Sequence, residues 1–161
     1  MARPRRAALI LAALATAAYL SLVYLGQKRA AEAGPASPAL HDLVIETKAG
    51  EVRLKVELAA DPSAWAQGLK GRTSLPRDRG MLFLFPKASA DPFWMKDTLI
   101  PLSVAFADSG GRILRIMEME PCREDPCPLY YPGVAYRQAL EVNRGWFKEH
   151  NVVPGDRWRL E

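Results

Sequence analysis

A chain of 161 residues with 22 Lys and Arg against 18 Asp and Glu fits one domain plus an extension, and its positive balance belongs to one end. Up to Ala33, Arg3, Arg5, Arg6, Lys28 and Arg29 stand against the single acid Glu32, while the remainder carries 17 basic and 17 acidic residues. Neutralised phosphates supply most of the affinity for nucleic acid, so a formally neutral domain excludes that class of partner.

Arg3, Arg5 and Arg6 precede the uncharged stretch Ala7–Leu25, nineteen residues long. As a helix it spans about 28 Å, close to the ~30 Å hydrocarbon core of a bilayer. Residues 1–26 therefore read as a membrane anchor or a signal segment. A cleavable signal has a shorter apolar region, roughly 7–15 residues, and Lys28 and Arg29 separate the run from the small-residue site Ala31-Glu32-Ala33. The anchor is the favoured reading. The basic cluster keeps the N-terminus cytoplasmic, which predicts a single-pass cell-membrane protein with an extracytoplasmic C-terminal domain. Cleavage would give a secreted or periplasmic protein instead. Residues 27–40, rich in Ala, Gly, Pro and Ser, read as a flexible linker.

Leu43–Thr47 and Glu51–Ala59 form a predicted hairpin through Lys48-Ala49-Gly50. In the second strand Val52, Leu54, Val56 and Leu58 alternate with charged residues, the mark of a strand with one wet face. Asp61 and Pro62 suit a helix start. Trp65 and Leu69 would bury one face, Gly68 would pack closely inside the helix, and Gly71 would end it. Met81–Phe85 is continuously apolar, as for a strand covered on both faces. Leu102–Phe106, Arg112–Glu120, Tyr136–Val142 and Arg157–Glu161 are further strands, with a short helix near Gly145–His150. About seven short strands separated by turn signals predict a mainly β fold. Residues 41–161 then make a single sandwich- or barrel-like antiparallel domain with one or two short helices.

Four phrases, GLKGR at Gly68–Arg72, GMLFLF at Gly80–Phe85, FWMKDTLIPL at Phe93–Leu102 and ALEVNRG at Ala139–Gly145, together resemble the DUF192 (UPF0127) family. The resemblance runs from about Val44 to the C-terminus. It implies a mainly β, often exported domain, in a family without an established biochemical function.

The polar residues of the apolar phrases are the candidates for function. Lys96 and Asp97, beside Phe93 and Trp94, suit a binding cleft in which aromatic rings lie next to charges. A plainer reading lets Lys96 snorkel outward while Asp97 caps a turn toward Thr98. Glu141 lies on the Arg137/Ala139 side of its strand, where an ion pair with Lys96 or Arg72 is the expected role. Cys122 and Cys127, spaced unlike a redox or zinc motif, read as a local disulfide outside the cytoplasm. Met117 and Met119 share a strand face, and with Met81 and Met95 they are either core filler or soft ligands for Cu(I). No catalytic set, phosphate loop or metal motif is present, so no cofactor is assigned.

The favoured function is a membrane-tethered domain, held through residues 7–25. It binds a small polar ligand or an envelope component, carbohydrate-like, through Arg72, Phe93, Trp94, Lys96, Asp97 and Glu141. The alternatives are an enzyme using Lys96, Asp97 and Glu141 as acid–base groups, and Cu(I) binding through methionines.

Overall fold

Alternation builds the first hairpin. In the computed structural model, which describes residues 38–161, β1 (His41–Thr47) and β2 (Gly50–Ala59) pair antiparallel with Ile45 opposite Val52. The anchor-or-signal segment 1–26 and most of the linker lie outside the described residues. Among the described residues no helix is long and apolar enough to cross a membrane. Thr47 closes the hairpin turn, its hydroxyl donating to the Gly50 carbonyl at 2.7 Å and accepting from the Ala49 N–H at 3.1 Å.

Asp61 caps α1 (Pro62–Gln67), accepting from the Ala64 N–H at 2.9 Å. The helix ends sooner than Gly71. It stops at Gly68, whose φ of 47° is left-handed, a conformation that costs glycine least. Leu69 therefore lies beyond the helix, yet it is buried.

α1 also reverses the chain, and the next strand, β3 (Arg79–Ser89), runs parallel to β2. The expected all-antiparallel sheet is corrected here, because a helical crossover returns the chain to the same end of the sheet before the next strand begins. The chain continues through β4 (Phe93–Trp94), β5 (Leu102–Ala107), β6 (Ile113–Met119), β7 (Leu129–Tyr130), β8 (Tyr136–Asn143), α2 (Trp146–Glu149) and β9 (Arg157–Leu160). Seven of these strands form one sheet in the order β6-β5-β8-β3-β2-β1-β9. They are the seven that the sequence predicts, six with polar residues among the apolar ones and β3 from its continuous apolar run. The two-residue strands β4 and β7 pair separately and carry too few residues to show a period.

Of the two arrangements left open, sandwich or barrel-like, the fold takes the second: the mainly β sheet curls into a half-barrel. At one end its edges meet. Arg112, just before β6, bridges Arg157 of β9, and the Trp158 N–H donates to the Gly111 carbonyl at 3.0 Å. Gly111 is needed there, because its φ is 76° and an added Cβ would stand 2.2 Å from the Trp158 carbonyl oxygen.

Both faces of the sheet are apolar. Ile45, Leu54, Leu82 and Leu140 pack with Ile113 and Trp158 from the opposite edges and with Trp146 and Phe147 of α2, inside the curl. On the outer face Phe83, Val104, Phe106 and Ala139 pack with Leu69, Met95 and Met119. β3 lies between the two clusters, so Met81, Leu82 and Phe83 are all buried whichever way they point.

Candidate functional site

The outer face carries one acid that the packing does not explain. Alternation along β8 turns Ala139 and Glu141 the same way. Glu141 stands opposite Met81 of β3 and Val104 of β5, and Ala139 opposite Phe83 and Phe106. The end of α1 and the segment from Ser89 to Thr98 roof this patch without filling it. Between them is a cavity of about 180 Å³ lined by Trp65, Phe83, Phe85, Phe93, Trp94 and Tyr136, with Glu141, Thr98, Lys70 and Asp91 among its polar members.

The rings hold one another. Phe93 stands edge-on to Phe83 at 5.4 Å and to Phe106 at 5.2 Å between centroids. Phe85 lies 5.1 Å from Trp65 and 5.4 Å from Tyr136. Their polar tips are satisfied by backbone: the Trp65 indole donates to the Ala59 carbonyl and the Tyr136 hydroxyl to the Asp91 carbonyl, each at 2.9 Å. At the rim the Lys70 ammonium sits 5.4 Å from the centre of the Trp94 ring, within cation–π range.

Glu141 is 5% exposed; its side chain has no hydrogen-bond or ion-pair partner among the described residues, and its oxygens are not sealed in but reach the cavity. Burial alone pushes its carboxyl up to about 8, because an ionised carboxylate loses its hydration there and gains nothing in return. Near neutral pH the pocket holds a neutral acid.

The predicted site residues divide between three places. Phe93, Trp94 and Glu141 come together in the aromatic pocket. The expected ion pair of Glu141 with Lys96 or Arg72 is not formed. Arg72 grips Glu57 instead, with two bonds of 2.6 Å to its two carboxylate oxygens. This partner also raises the arginine's already high pKa. Lys96 runs the other way to Asp125, at 2.6 Å, and that carboxylate holds its ammonium above the usual lysine value. Lys96 and Asp97 line a separate groove against the Cys122–Cys127 loop. Asp97 takes a φ of 60°, and its carbonyl accepts the Gly71 N–H at 2.8 Å, tying the turn to the end of the α1 loop. Of the three acid–base candidates, Glu141 therefore shares no cavity with Lys96 and Asp97.

The disulfide is present, with Cα atoms 5.5 Å apart. Met81, Met95 and Met119 are buried and Met117 packs on the same cluster, so the methionine face is closed by packing. Trp65, Phe83, Phe85, Tyr136, Lys70 and Thr98 are pocket residues that the sequence reading did not single out. A signal for two of them was available: Phe83 and Phe85, two apart on one strand, share a face with each other.

Residues 44–160 match the DUF192 family, described as Uncharacterized ACR. No curated protein matches the chain. Among solved structures, the chain is similar to a protein from Sinorhizobium meliloti 1021 described as a candidate transcription regulator. Identity is 35%, with a TM-score of 0.71, covering 79% of this chain and 98% of the other. It is also similar to a protein of unknown function from Novosphingobium aromaticivorans DSM 12444. There the identity is 27% and the TM-score 0.66, covering 81% of this chain and 96% of the other.

Proposed function

We propose a binding role for this chain, which belongs to the DUF192 family: a membrane-tethered, extracytoplasmic domain that takes a small organic ligand with a polar end into the aromatic pocket over Glu141. The observation that carries this reading is the missing partner of Glu141. Among the described residues no sealed side-chain oxygen or nitrogen lacks a hydrogen bond, so the Glu141 carboxyl, with no protein partner, opens into the cavity; holding an acid there among six aromatic rings costs stability that a scaffold has no reason to give up. Binding sites do give it up. A free small molecule and an end group of an envelope polymer both meet the description, since a ring of either stacks on an indole while its polar end reaches the acid.

The tether rests on the length of Ala7–Leu25 and its flanking arginines. A Cys122–Cys127 disulfide suits an oxidising compartment. Acid–base catalysis has less support, because Lys96 and Asp97 line a different groove from Glu141. DNA binding, which the description of the Sinorhizobium protein invites, also has less support in a domain with equal numbers of acids and bases.

A ligand-observed NMR screen of sugars, polyols, amines and carboxylates against the full chain in detergent tests the reading. Saturable binding that shifts tryptophan fluorescence and weakens in Trp65→Leu supports it. Absence of any saturable binder across the four classes overturns it.

A further inference from the structure

We infer that the polar end of the ligand is a protonated amine, with Glu141 as its counter-ion and the surrounding rings as a second source of attraction. The inference rests on the pocket being a binding site. Glu141 is 5% exposed, faces a cavity of about 180 Å³ and has no partner among the described residues. The walls around it are aromatic, and π faces attract a desolvated cation. Lys70 on Trp94 is an example of that attraction at the rim of the same pocket.

The charges near Glu141 leave this position to a ligand. On β2, Glu57 is neutralised by Arg72, which is thereby occupied. On β8, Arg137 is turned to the Phe85 carbonyl, donating at 2.9 Å. Around Glu141, β3 and β5 present Met81, Phe83, Val104 and Phe106; Arg79, further along β3, does not line the cavity. In the roof, Lys70 stays over Trp94 and Lys96 is paired with Asp125, while on β8 the Tyr136 hydroxyl is held by a backbone carbonyl. Asp91 adds a second acid to the lining.

An anionic ligand end would meet an acid at the floor. A hydroxyl would hydrogen-bond to the acid and gain only contact from the rings. An ammonium uses both the acid and the rings.

The exchange has a definite proton balance. Empty, Glu141 carries its proton near neutral pH. On binding, the ammonium keeps its three protons while the carboxyl O–H proton leaves to solvent, so the carboxylate formed pairs with the cation. About one proton is released per ligand near pH 6.5, and none well above pH 8.

Calorimetric titration of the full chain in detergent, in two buffers of different ionisation heat, tests this with n-butylammonium, n-butanol and butyrate. The amine should bind at least about tenfold more tightly than the alcohol and release close to one proton near pH 6.5. Glu141→Gln, checked for folding by circular dichroism, should abolish the release and cut amine affinity by about tenfold or more. Its butanol affinity should fall far less than its amine affinity, because glutamine still offers the hydroxyl a hydrogen bond but offers the cation no charge. The proton count on the unaltered protein needs no variant. If butanol or butyrate binds as well as the amine, or if amine binding releases no proton, the ammonium inference fails while the binding reading survives. If none of the three probes and nothing in the NMR screen binds, the binding reading fails and the inference falls with it.

Discussion

Glu57 and Glu141 stand on the same face of the sheet, one on either side of Met81, and only Glu57 has a cationic partner. Met81 is paired with both, so the two acids sit two strand spacings apart, roughly 10 Å. Both are nearly buried, at 7% and 5% exposure. Arg72 makes the first a structural ion pair. The second is left facing a cavity, and this asymmetry separates scaffold from candidate site.

Removing Arg72 should therefore destabilise the fold. Arg72→Met strands the Glu57 carboxylate in a site that is 10% exposed at its side chain, while the arginine itself is 31% exposed. The loss should be about 2–3 kcal/mol, below the ~3–5 kcal/mol of a fully buried pair. Adding Glu57→Gln should recover part of it, because neither charge is then unpaired. Urea unfolding of the two single variants and the double variant reads this directly. Additive losses would mean that the pair is not coupled.

Glu141 should make stability fall as pH rises. Its carboxyl titrates near 4.5 when unfolded and is pushed up to about 8 in the folded protein. The folded state thus keeps a proton that the unfolded chain releases between these values. The contribution is complete below about pH 4.5, declines through neutral pH and is lost above about pH 8. At ~1.4 kcal/mol per pH unit, the upper bound is on the order of 5 kcal/mol. Glu141→Gln removes the titration, so its stability relative to the unaltered protein should climb with pH across that window. A constant difference from acid to alkaline pH would show that Glu141 is solvated.

Lys96 should be silent. Its pair with Asp125 is exposed at both ends, 38% and 66%, and exposed pairs contribute little. Lys96→Met should leave the urea midpoint and n-butylammonium binding unchanged. Weakened binding of the probe would extend the site into the groove beside the disulfide loop.

Reduction of Cys122–Cys127 should loosen the loop around β7 without unfolding the domain. The bridge closes a loop of sequence separation 5, so in the entropic account it stabilises by only about 2 kcal/mol. Amide exchange should rise in residues 121–132 and remain slow in β3 and β8. Protein isolated from the envelope should carry no free thiols; alkylation of both cysteines there would argue against an oxidising compartment.

Gly111→Ala should weaken the junction between the edges of the half-barrel. The new Cβ would overlap the Trp158 carbonyl, at 2.2 Å, from a backbone already at φ 76°. A loss of about 2–4 kcal/mol is expected, from strain and from the displaced Trp158 N–H···O bond. Gly133, also at positive φ but with open space around it, provides the control. Its alanine variant should lose only about 1 kcal/mol, and equal losses would remove the steric account.

Local information was enough for the elements. Alternating Val52, Leu54, Val56 and Leu58 made β2 legible, Asp61-Pro62 marked the start of α1, and Cys122 and Cys127 lay close enough to pair by themselves. Each of those features depends on residues a few positions apart. The site depends on neighbours far apart in sequence. Glu141 lies beside Met81 and Val104 only because β8 inserts between β3 and β5, an order that no alternation encodes. Arg72 and Lys96 were legible as cations near apolar phrases, but their partners were fixed by loop paths, which brought Arg72 to β2 and Lys96 to the disulfide loop. Alternation on β8 determined that Glu141 would point away from the inside of the curl. Tertiary packing decided that it would be buried there without a partner, because burial and pairing depend on which side chains the roof places over it.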